Sequence, residues 1–262
     1  MPPHRLTETD DGLRVITEPV AGARSLALGA WIGVGSRFEQ PGEAGISHFL
    51  EHMLFKGTSR LNAAEIAQGF DGIGAEVNAA TGRDYTVVYT RFLDQHIDHA
   101  FDLVADMVSD PVMAELEPER EVVLEEIAMY EDDPSDQVHD LIGEAVFPGQ
   151  ALGRPVIGTA DIVGAFDRQA VGAYHRGHYT PRNMVIAAAG SLEHDDIVAR
   201  SQALAARLTP AVGDTVMDPG EPGAPRAVVK EKETEQVHLT LGGPGLTRGD
   251  DRRHAQAVLD SI

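Results

Sequence analysis

The chain of 262 residues is long enough to bury one large hydrophobic core or two modest ones, and its 42% hydrophobic and 24% charged residues are ordinary for a globular protein. Its formal net charge of −21 argues against nucleic acid or an anionic membrane surface as a partner. Because cysteine is absent, the sequence excludes a disulfide framework and a thiolate zinc site, so any metal ion must be held by histidine and carboxylate side chains.

The start of the chain lacks the pattern of a signal peptide. Residues 1–5 lead into polar residues with no apolar segment behind them. No stretch of about 18 apolar residues, the length that a membrane-spanning helix requires, occurs in the sequence. We therefore predict a cytoplasmic protein that is made without a signal peptide and has no membrane-spanning segment.

The spacing of apolar residues predicts a chain in which strands and helices alternate. The predicted strands are residues 13–18, 25–33, 76–81, 85–90 and 183–190. The predicted helices are residues 46–57, 62–70, 96–109, 118–130, 135–147, 167–178 and 194–208. Asn62 and Pro118 stand at the starts of two of these helices, where their residue types are favoured. Gly82-Arg83-Asp84 separates the third and fourth strands and predicts a hairpin.

The helix predicted over residues 46–57 is apolar on nearly all sides, which is typical of a buried helix. At 100° per residue, His48, Glu51 and His52 share one arc of roughly 100°. Such polar groups need partners, because an unpaired buried charge costs several kcal/mol, roughly. His48 and His52 are four residues apart, so their Cβ atoms lie about 5–6 Å apart on one face, which suits two nitrogens on one metal ion.

An alternative interpretation of this segment is a core helix whose histidines hydrogen-bond to backbone carbonyl groups. For a single histidine on an apolar face that alternative is the better one. The complete His-x-x-Glu-His pattern within so apolar a helix favours a metal site instead.

The helix predicted over residues 118–130 offers carboxylates for such a site. Its predicted apolar arc consists of Val122, Val123, Ile127, Met129 and Tyr130. Glu119 and Glu126 fall inside this arc, whereas Glu121 and Glu125 fall on the solvent side. A carboxylate on a packing face needs a cation nearby. We therefore predict Glu126, in preference to Glu125, as the third metal ligand, and Glu119 as a carboxylate that supports the ligands from behind.

The end of the sequence resembles its beginning. Residues 210–225 are rich in Pro, Gly and Asp without periodicity, which predicts a linker. The segments 227–232 and 236–242, followed by Gly243-Pro244-Gly245, repeat the order of strand, strand and glycine turn seen in residues 13–35. We predict a first domain over residues 1–209 and the start of a second, homologous domain over residues 226–262. The chain is therefore expected to be an N-terminal fragment of a longer protein.

Four segments together resemble the M16 family of zinc metallopeptidases, the inverzincins, in the group similar to the mitochondrial processing peptidase beta subunit. They are His48-Phe49-Leu50-Glu51-His52, Glu76-Val77-Asn78-Ala79, Glu119-Arg120-Glu121-Val122-Val123-Leu124-Glu125-Glu126-Ile127 and His178-Tyr179-Thr180-Pro181-Arg182-Asn183-Met184. The first is the inverted zincin signature, and the first and third together are highly specific. The resemblance runs through nearly the whole chain.

This resemblance implies an α/β (α+β) fold, the metallohydrolase fold of M16 and LuxS-like proteins, with an antiparallel-rich sheet and helices packed on it. It also implies two halves that close over a peptide substrate. The second half is expected on the same polypeptide or on a partner subunit, with a dimer as one arrangement. Substrate-contacting Arg and Tyr residues come from that second half in the family, so we expect this chain alone to lack them.

The resemblance also assigns roles to residues, and it agrees with the helical wheel on Glu126 as a ligand and Glu119 as its supporting carboxylate. Three protein ligands, His48, His52 and Glu126, would hold one Zn²⁺ ion and leave a fourth position for water, as in catalytic zinc sites. Glu51 lies on the same arc without being needed as a ligand and is expected to act as the general base.

Family analogy places Asn78 and Ala79 near the site, where they are expected to hold an extended peptide at the sheet edge. The alternative for Asn78 is a hairpin residue that satisfies only the local backbone.

These residues predict a zinc-dependent endopeptidase that acts on extended peptides or unfolded protein segments. The main alternative is a non-catalytic scaffold or partner subunit of the same family, and the intact set of ligands argues against it. A module that only stores zinc is a further alternative, but storage has no need of Glu51.

Overall fold

A mixed six-stranded sheet organises the part of the chain that the computed structural model describes, namely residues 4–210, 219–233 and 235–261. The strands are β1 (Arg5–Glu8), β2 (Arg14–Pro19), β3 (Ser25–Ile32), β4 (Glu76–Thr81), β5 (Thr86–Leu93) and β6 (Met184–Gly190). Their spatial order is β1-β2-β6-β3-β5-β4. Among these strands only β2 and β6 pair in parallel, so the prediction of an antiparallel-rich sheet is confirmed.

Helices cover one face of the sheet. The helices of the described residues are α1 (Ile46–Met53), α2 (Ala63–Asp71), α3 (Ile97–Ser109), α4 (Leu116–Asp132), α5 (Pro134–Val146), α6 (Ala160–Val163), α7 (Arg168–His178), α8 (His194–Ala205) and α9 (Arg253–Leu259), of which α1, α2, α3 and α8 contact the sheet directly. Along β3, alternate side chains are buried, from Leu26 to Ile32, whereas Trp31 on the other face is exposed. The predicted α/β (α+β) architecture is therefore confirmed, with its core between one sheet face and the helices.

An inner strand of the sheet comes from late in the sequence. β6 lies between β2 and β3, parallel to the former and antiparallel to the latter. Residues 184–190 therefore belong to the same sheet as β1 to β5, which all come from the first part of the chain. β1 and the short helix α6 were not predicted, because four-residue elements carry too little periodicity to be recognised.

The start and the exposed face of α4 differ from the prediction. The helix begins at Leu116, two residues before Pro118. Proline is tolerated there because the first-turn N–H groups have no acceptor within the helix. The predicted apolar arc is wrong in part, since Val122, Met129 and Tyr130 are 49%, 73% and 44% exposed. Apolar residues occur on two sides of α4, and only the side that contacts α1 and α6 is buried.

The strands predicted near the end of the chain are not formed. Within residues 219–233 and 235–261, α9 is the only regular element, and residues 211–218 of the predicted linker lie outside the described residues. Val229, Val237 and Leu241 are 80%, 96% and 87% exposed. Strands need paired neighbours to satisfy their backbones and bury their side chains, and the described residues supply none here.

No helix in the described ranges combines the length and the apolarity that are needed to cross a lipid bilayer.

Candidate metal centre

Helix α1 is positioned by its own buried side chains and by an unusual start. Phe49, Leu50 and Met53 have no exposed surface, and the helix contacts β4, α4 and α7. Gly45 precedes it at φ 94°, where a Cβ atom would lie 2.6 Å from the carbonyl oxygen of Ile157. Only glycine fits such a backbone conformation at so close an approach.

A buried carboxylate completes the start of α1. Glu39, which is 4% exposed, accepts the N–H of Gly45 on Oε2 at 2.8 Å and the N–H of Ser47 on Oε1 at 2.9 Å. Burial raises the pKa of the Glu39 carboxyl to about 7, although the N–H groups of Ser47 and Gly45 and the charge of Arg154 act in the opposite direction. The carboxyl therefore fixes the helix that carries the histidines, at a cost in desolvation.

We expect this carboxyl to make the metal-free chain less stable as the pH rises from about 4.5 to about 7. The pKa of the Glu39 carboxyl is higher in the folded chain than its ordinary value of 4.5, so the folded state binds the proton more tightly. The resulting stabilisation is complete below pH 4.5 and is lost as the pH passes through 7, by roughly 3–4 kcal/mol at roughly 1.4 kcal/mol per pKa unit. Burial raises the pKa of the neighbouring Tyr174 hydroxyl, so that group stays protonated throughout this window.

Denaturant unfolding of the wild type and of Glu39→Gln between pH 4.5 and 8 measures this contribution. Other carboxyl groups are common to both proteins, so they cancel in the difference between the two unfolding free energies. The unfolding free energy of the wild type minus that of Glu39→Gln should fall through this pH range and then level off. The exposed Glu125→Gln variant is the control, and a pH-independent difference for Glu39→Gln would contradict the expectation.

Helices α1 and α4 meet so that three potential ligands converge. Nε2 of His48 lies 3.8 Å and Nε2 of His52 lies 3.5 Å from Oε2 of Glu126. The two imidazole rings are 4.7 Å apart and inclined at 66°. Two tetrahedral ligands at about 2.0–2.2 Å from one Zn²⁺ ion are themselves separated by about 3.4 Å, so these distances suit a shared ion. Among the described residues, this is the one such group of histidine and carboxylate ligand atoms, all within 4.8 Å of one another.

The polar atoms of this cluster also fit a divalent cation. Oε2 of Glu126 is buried without a hydrogen-bond partner among the described residues, although the two imidazoles lie beside it. Burial, and then the charge of His52, lower the pKa of His48 to about 4. A neutral imidazole is the form that binds a metal ion. The donor set of two nitrogens and one carboxylate oxygen is one that zinc accepts.

A second carboxylate holds one of the imidazoles from behind. Nδ1 of His52 donates to Oε1 of Glu119 at 2.7 Å, and the Glu119 side chain is only 6% exposed. This hydrogen bond fixes the proton on Nδ1 and directs the free Nε2 atom towards Glu126. The structure therefore places Glu119 behind His52 and Glu126 in front of it.

Glu51 lies beside the cluster but outside the group of three ligand atoms. Burial raises the pKa of its carboxyl, hydrogen bonds from Thr81 at the end of β4 lower it, and the nearby charges of His52 and Glu126 have opposing effects. Oε2 of Glu51 is buried and has no hydrogen-bond partner in the described part of the chain. An unligated carboxylate beside a potential metal ion is available to accept a proton.

Asn78 and Ala79 lie on β4, the last strand of the sheet, and are not part of the cluster. β4 pairs with β5 along one side, and among the described strands none pairs with its other side. Oδ1 of Asn78 accepts the N–H of Ala79 at 2.8 Å, so the side chain is engaged with the local backbone.

Two residues near the cluster, Lys56 and Glu39, were not predicted from the sequence. Lys56 contacts Glu119 with its Nζ atom 2.7 Å from Oε2. Its position four residues after His52 is a helical spacing and could have revealed it. Glu39 gave no comparable signal, because it lies in a loop and reaches α1 only through the fold.

Comparison with known families gives two matches along the chain. Residues 14–160 match the family described as Insulinase (Peptidase family M16), and residues 165–262 match the Peptidase M16 inactive domain. The boundary between the matches does not separate two sheets, because β6 lies beyond it and pairs with β2 and β3.

Similar sequences cover nearly all of this chain. An uncharacterized zinc protease of Streptomyces coelicolor is 42% identical over 98% of the chain, and one of Bacillus subtilis is 41% identical over 96%. The chain spans only 58% and 62% of the lengths of these two relatives.

Solved structures share the fold at lower sequence identity. The peptidase M16 inactive domain of Pseudomonas fluorescens has a TM-score of 0.77 at 22% identity, covering 86% of this chain and 55% of that one. A protease of Helicobacter pylori has a TM-score of 0.76 at 22% identity, covering 84% and 53%. Given the family match over more than half of its length and its zinc protease relatives, this chain belongs to peptidase family M16.

Proposed function

We propose that this chain carries the catalytic centre of a zinc-dependent endopeptidase that cleaves extended peptides or unfolded protein segments. The observation that carries the proposal is the convergence of His48, His52 and Glu126 at distances suited to one Zn²⁺ ion. Glu51 stands beside them without being needed as a ligand. A scaffold protein does not require three metal ligands beside a free carboxylate, and a protein that only stores zinc does not require Glu51.

The residues divide the chemistry among them. When bound by His48, His52 and Glu126, Zn²⁺ supplies Lewis acidity towards a water molecule and the scissile carbonyl group. Glu51 takes the proton of the attacking water and delivers it to the leaving amine. Glu119 keeps Nε2 of His52 directed at the site through its hydrogen bond to Nδ1.

The open side of β4 gives an extended peptide a place to bind. A peptide that adds to this strand gains main-chain hydrogen bonds, and β4 ends at Thr81, which hydrogen-bonds to Glu51. We assign peptide contacts to Asn78 and Ala79 on this strand. A peptide that uses the N–H of Ala79 has to replace the hydrogen bond that Asn78 now makes.

We further propose residues 1–209 as the zinc domain, 210–225 as a linker and 226–262 as the start of a second, homologous domain. The exposed apolar side chains of residues 229–241 support the last assignment, because they require a partner to bury them. A second M16 half, on the same polypeptide or on a partner subunit, would complete the substrate cleft. The greater length of the relatives supports this arrangement.

Removal of the metal should abolish hydrolysis. The assay uses a polypeptide that extends this chain to the full length of its relatives, and its substrate is an unstructured peptide. We expect cleavage to stop after treatment with a zinc chelator and to return with one equivalent of Zn²⁺, because the three ligands hold one ion. If the purified protein contains no zinc and cleavage is insensitive to the chelator, the scaffold interpretation replaces this proposal.

A further inference from the structure

The buried carboxylate of Glu119 is shared between two partners. Its Oε1 atom accepts from Nδ1 of His52 at 2.7 Å, and its Oε2 atom lies 2.7 Å from Nζ of Lys56. The Glu119 side chain is 6% exposed, whereas the Lys56 side chain is 31% exposed. In the described part of the chain, these are the two cationic or imidazole groups within ion-pair distance of Glu119.

Both partners come from the same stretch of backbone. Lys56 follows His52 by four residues, and its N–H donates to the carbonyl group of Met53, so the helical turn continues past the end of α1. The two side chains therefore lie on one side of α1 and approach Glu119 of α4 together.

Two contacts constrain a carboxylate more than one does. With the hydrogen bond to His52 alone, the Glu119 carboxylate could rotate about its last side-chain torsion, which is a soft one. The contact between Oε2 and Lys56 fixes the plane of the carboxylate. That plane in turn fixes the imidazole of His52 and the direction of its Nε2 atom, which lies 3.5 Å from Glu126.

We propose that Lys56 is a positioning residue of the metal centre, which acts through Glu119 to hold His52 in its metal-binding orientation. The inference rests on the proposed function, because it presumes that His52 is a ligand. It adds a third residue to the chain of contacts, since the His52 imidazole on α1, the Glu119 carboxylate on α4 and the Lys56 ammonium in the turn after α1 follow one another.

The test measures the dissociation constant of Zn²⁺ by competition with a chelator. In Lys56→Met, which keeps an unbranched apolar stem but lacks the charge, we expect zinc to bind about 10- to 100-fold more weakly, as is usual for residues behind a ligand. Lys56→Arg should restore most of the affinity, because a single carboxylate oxygen has to be contacted. Lys230→Met, an exposed lysine beyond the zinc domain, is the matched control and should bind zinc like the wild type.

A double-mutant cycle separates action through Glu119 from a general structural role. In a Glu119→Ala background, Lys56→Met should cost no further zinc affinity, because the route to His52 is already removed. A full additional loss in that background would overturn the inference, as would wild-type affinity in Lys56→Met. Thermal unfolding of the metal-free proteins shows whether each variant is folded, and Lys56→Gln is the second neutral variant with the same expectation.

Failure of this inference is distinguishable from failure of the proposed function. A wild-type protein that binds no zinc overturns both. A wild-type protein that binds zinc, together with a Lys56→Met variant that binds it equally well, overturns only the role of Lys56.

Discussion

Replacement of Glu51 by Gln is expected to lower kcat/KM for peptide hydrolysis by roughly 100- to 10,000-fold, the range that a general base contributes. The amide has nearly the same size and shape as the carboxylate, but it cannot accept a proton from water. Zinc content should be unchanged, because Glu51 stands outside the group of three ligand atoms.

The measurement combines kcat/KM on an unstructured peptide with metal analysis of the same preparation. Glu125→Gln is the matched control, because it makes the same chemical change on an exposed position of α4. Cleavage at the wild-type rate by Glu51→Gln would contradict the mechanism. Loss of zinc from that variant would instead make Glu51 a ligand.

The local elements of the fold could be predicted because their patterns are local. The hairpin of β4 and β5 follows from two alternating segments around Gly82-Arg83-Asp84, and α2 begins after its Asn62 cap, as predicted. The family and its fold class are confirmed by the profile matches and the solved structures. The narrower likeness to the mitochondrial processing peptidase beta subunit stays a prediction.

Elements that depend on distant partners could not be predicted in the same way. No local pattern reveals that β6 inserts between β2 and β3, since that position depends on contacts across the whole domain. The segments 227–232 and 236–242 were predicted as strands, but the structure forms no strand there. Their alternation predicts strands, but a strand forms only where another strand pairs with it.

The helical wheel of α4 shows what periodicity can decide about the site. It selected Glu119 and Glu126 over Glu125, and the structure brings the first two to the histidines of α1. It also counted Val122 and Met129 as buried, which is wrong, because hydrophobicity alone does not say which side of a helix meets its neighbours. The wheel selected these two glutamates because both lie on the side of α4 that contacts His52 of α1, and their roles at a metal ion stay a prediction.

Replacement of Glu126 by Gln is expected to weaken zinc binding more than any change behind the ligands. Partners behind a ligand are typically worth 10- to 100-fold in metal affinity, so loss of a direct anionic ligand should cost more than about 100-fold. Oε2 of Glu126 lies 3.5 Å and 3.8 Å from the two imidazole nitrogens, and no other described carboxylate joins them in a group of three.

Glu125→Gln tests the same assignment from the other side. The two glutamates are adjacent in sequence, but Glu125 is exposed and Glu126 is partly buried at the contact with α1. Competition with a chelator should give wild-type zinc affinity for Glu125→Gln and a loss for Glu126→Gln. The same order should appear in the thermal stabilisation by added Zn²⁺, because binding to the folded state raises stability in proportion to the logarithm of the affinity.

The reverse order would move the third ligand to Glu125 and would mean that α4 is turned by about 100° from the orientation in this structure. The identity of the third ligand therefore depends on how α1 and α4 pack against each other. Comparing substitutions at the adjacent residues Glu125 and Glu126 tests that packing directly.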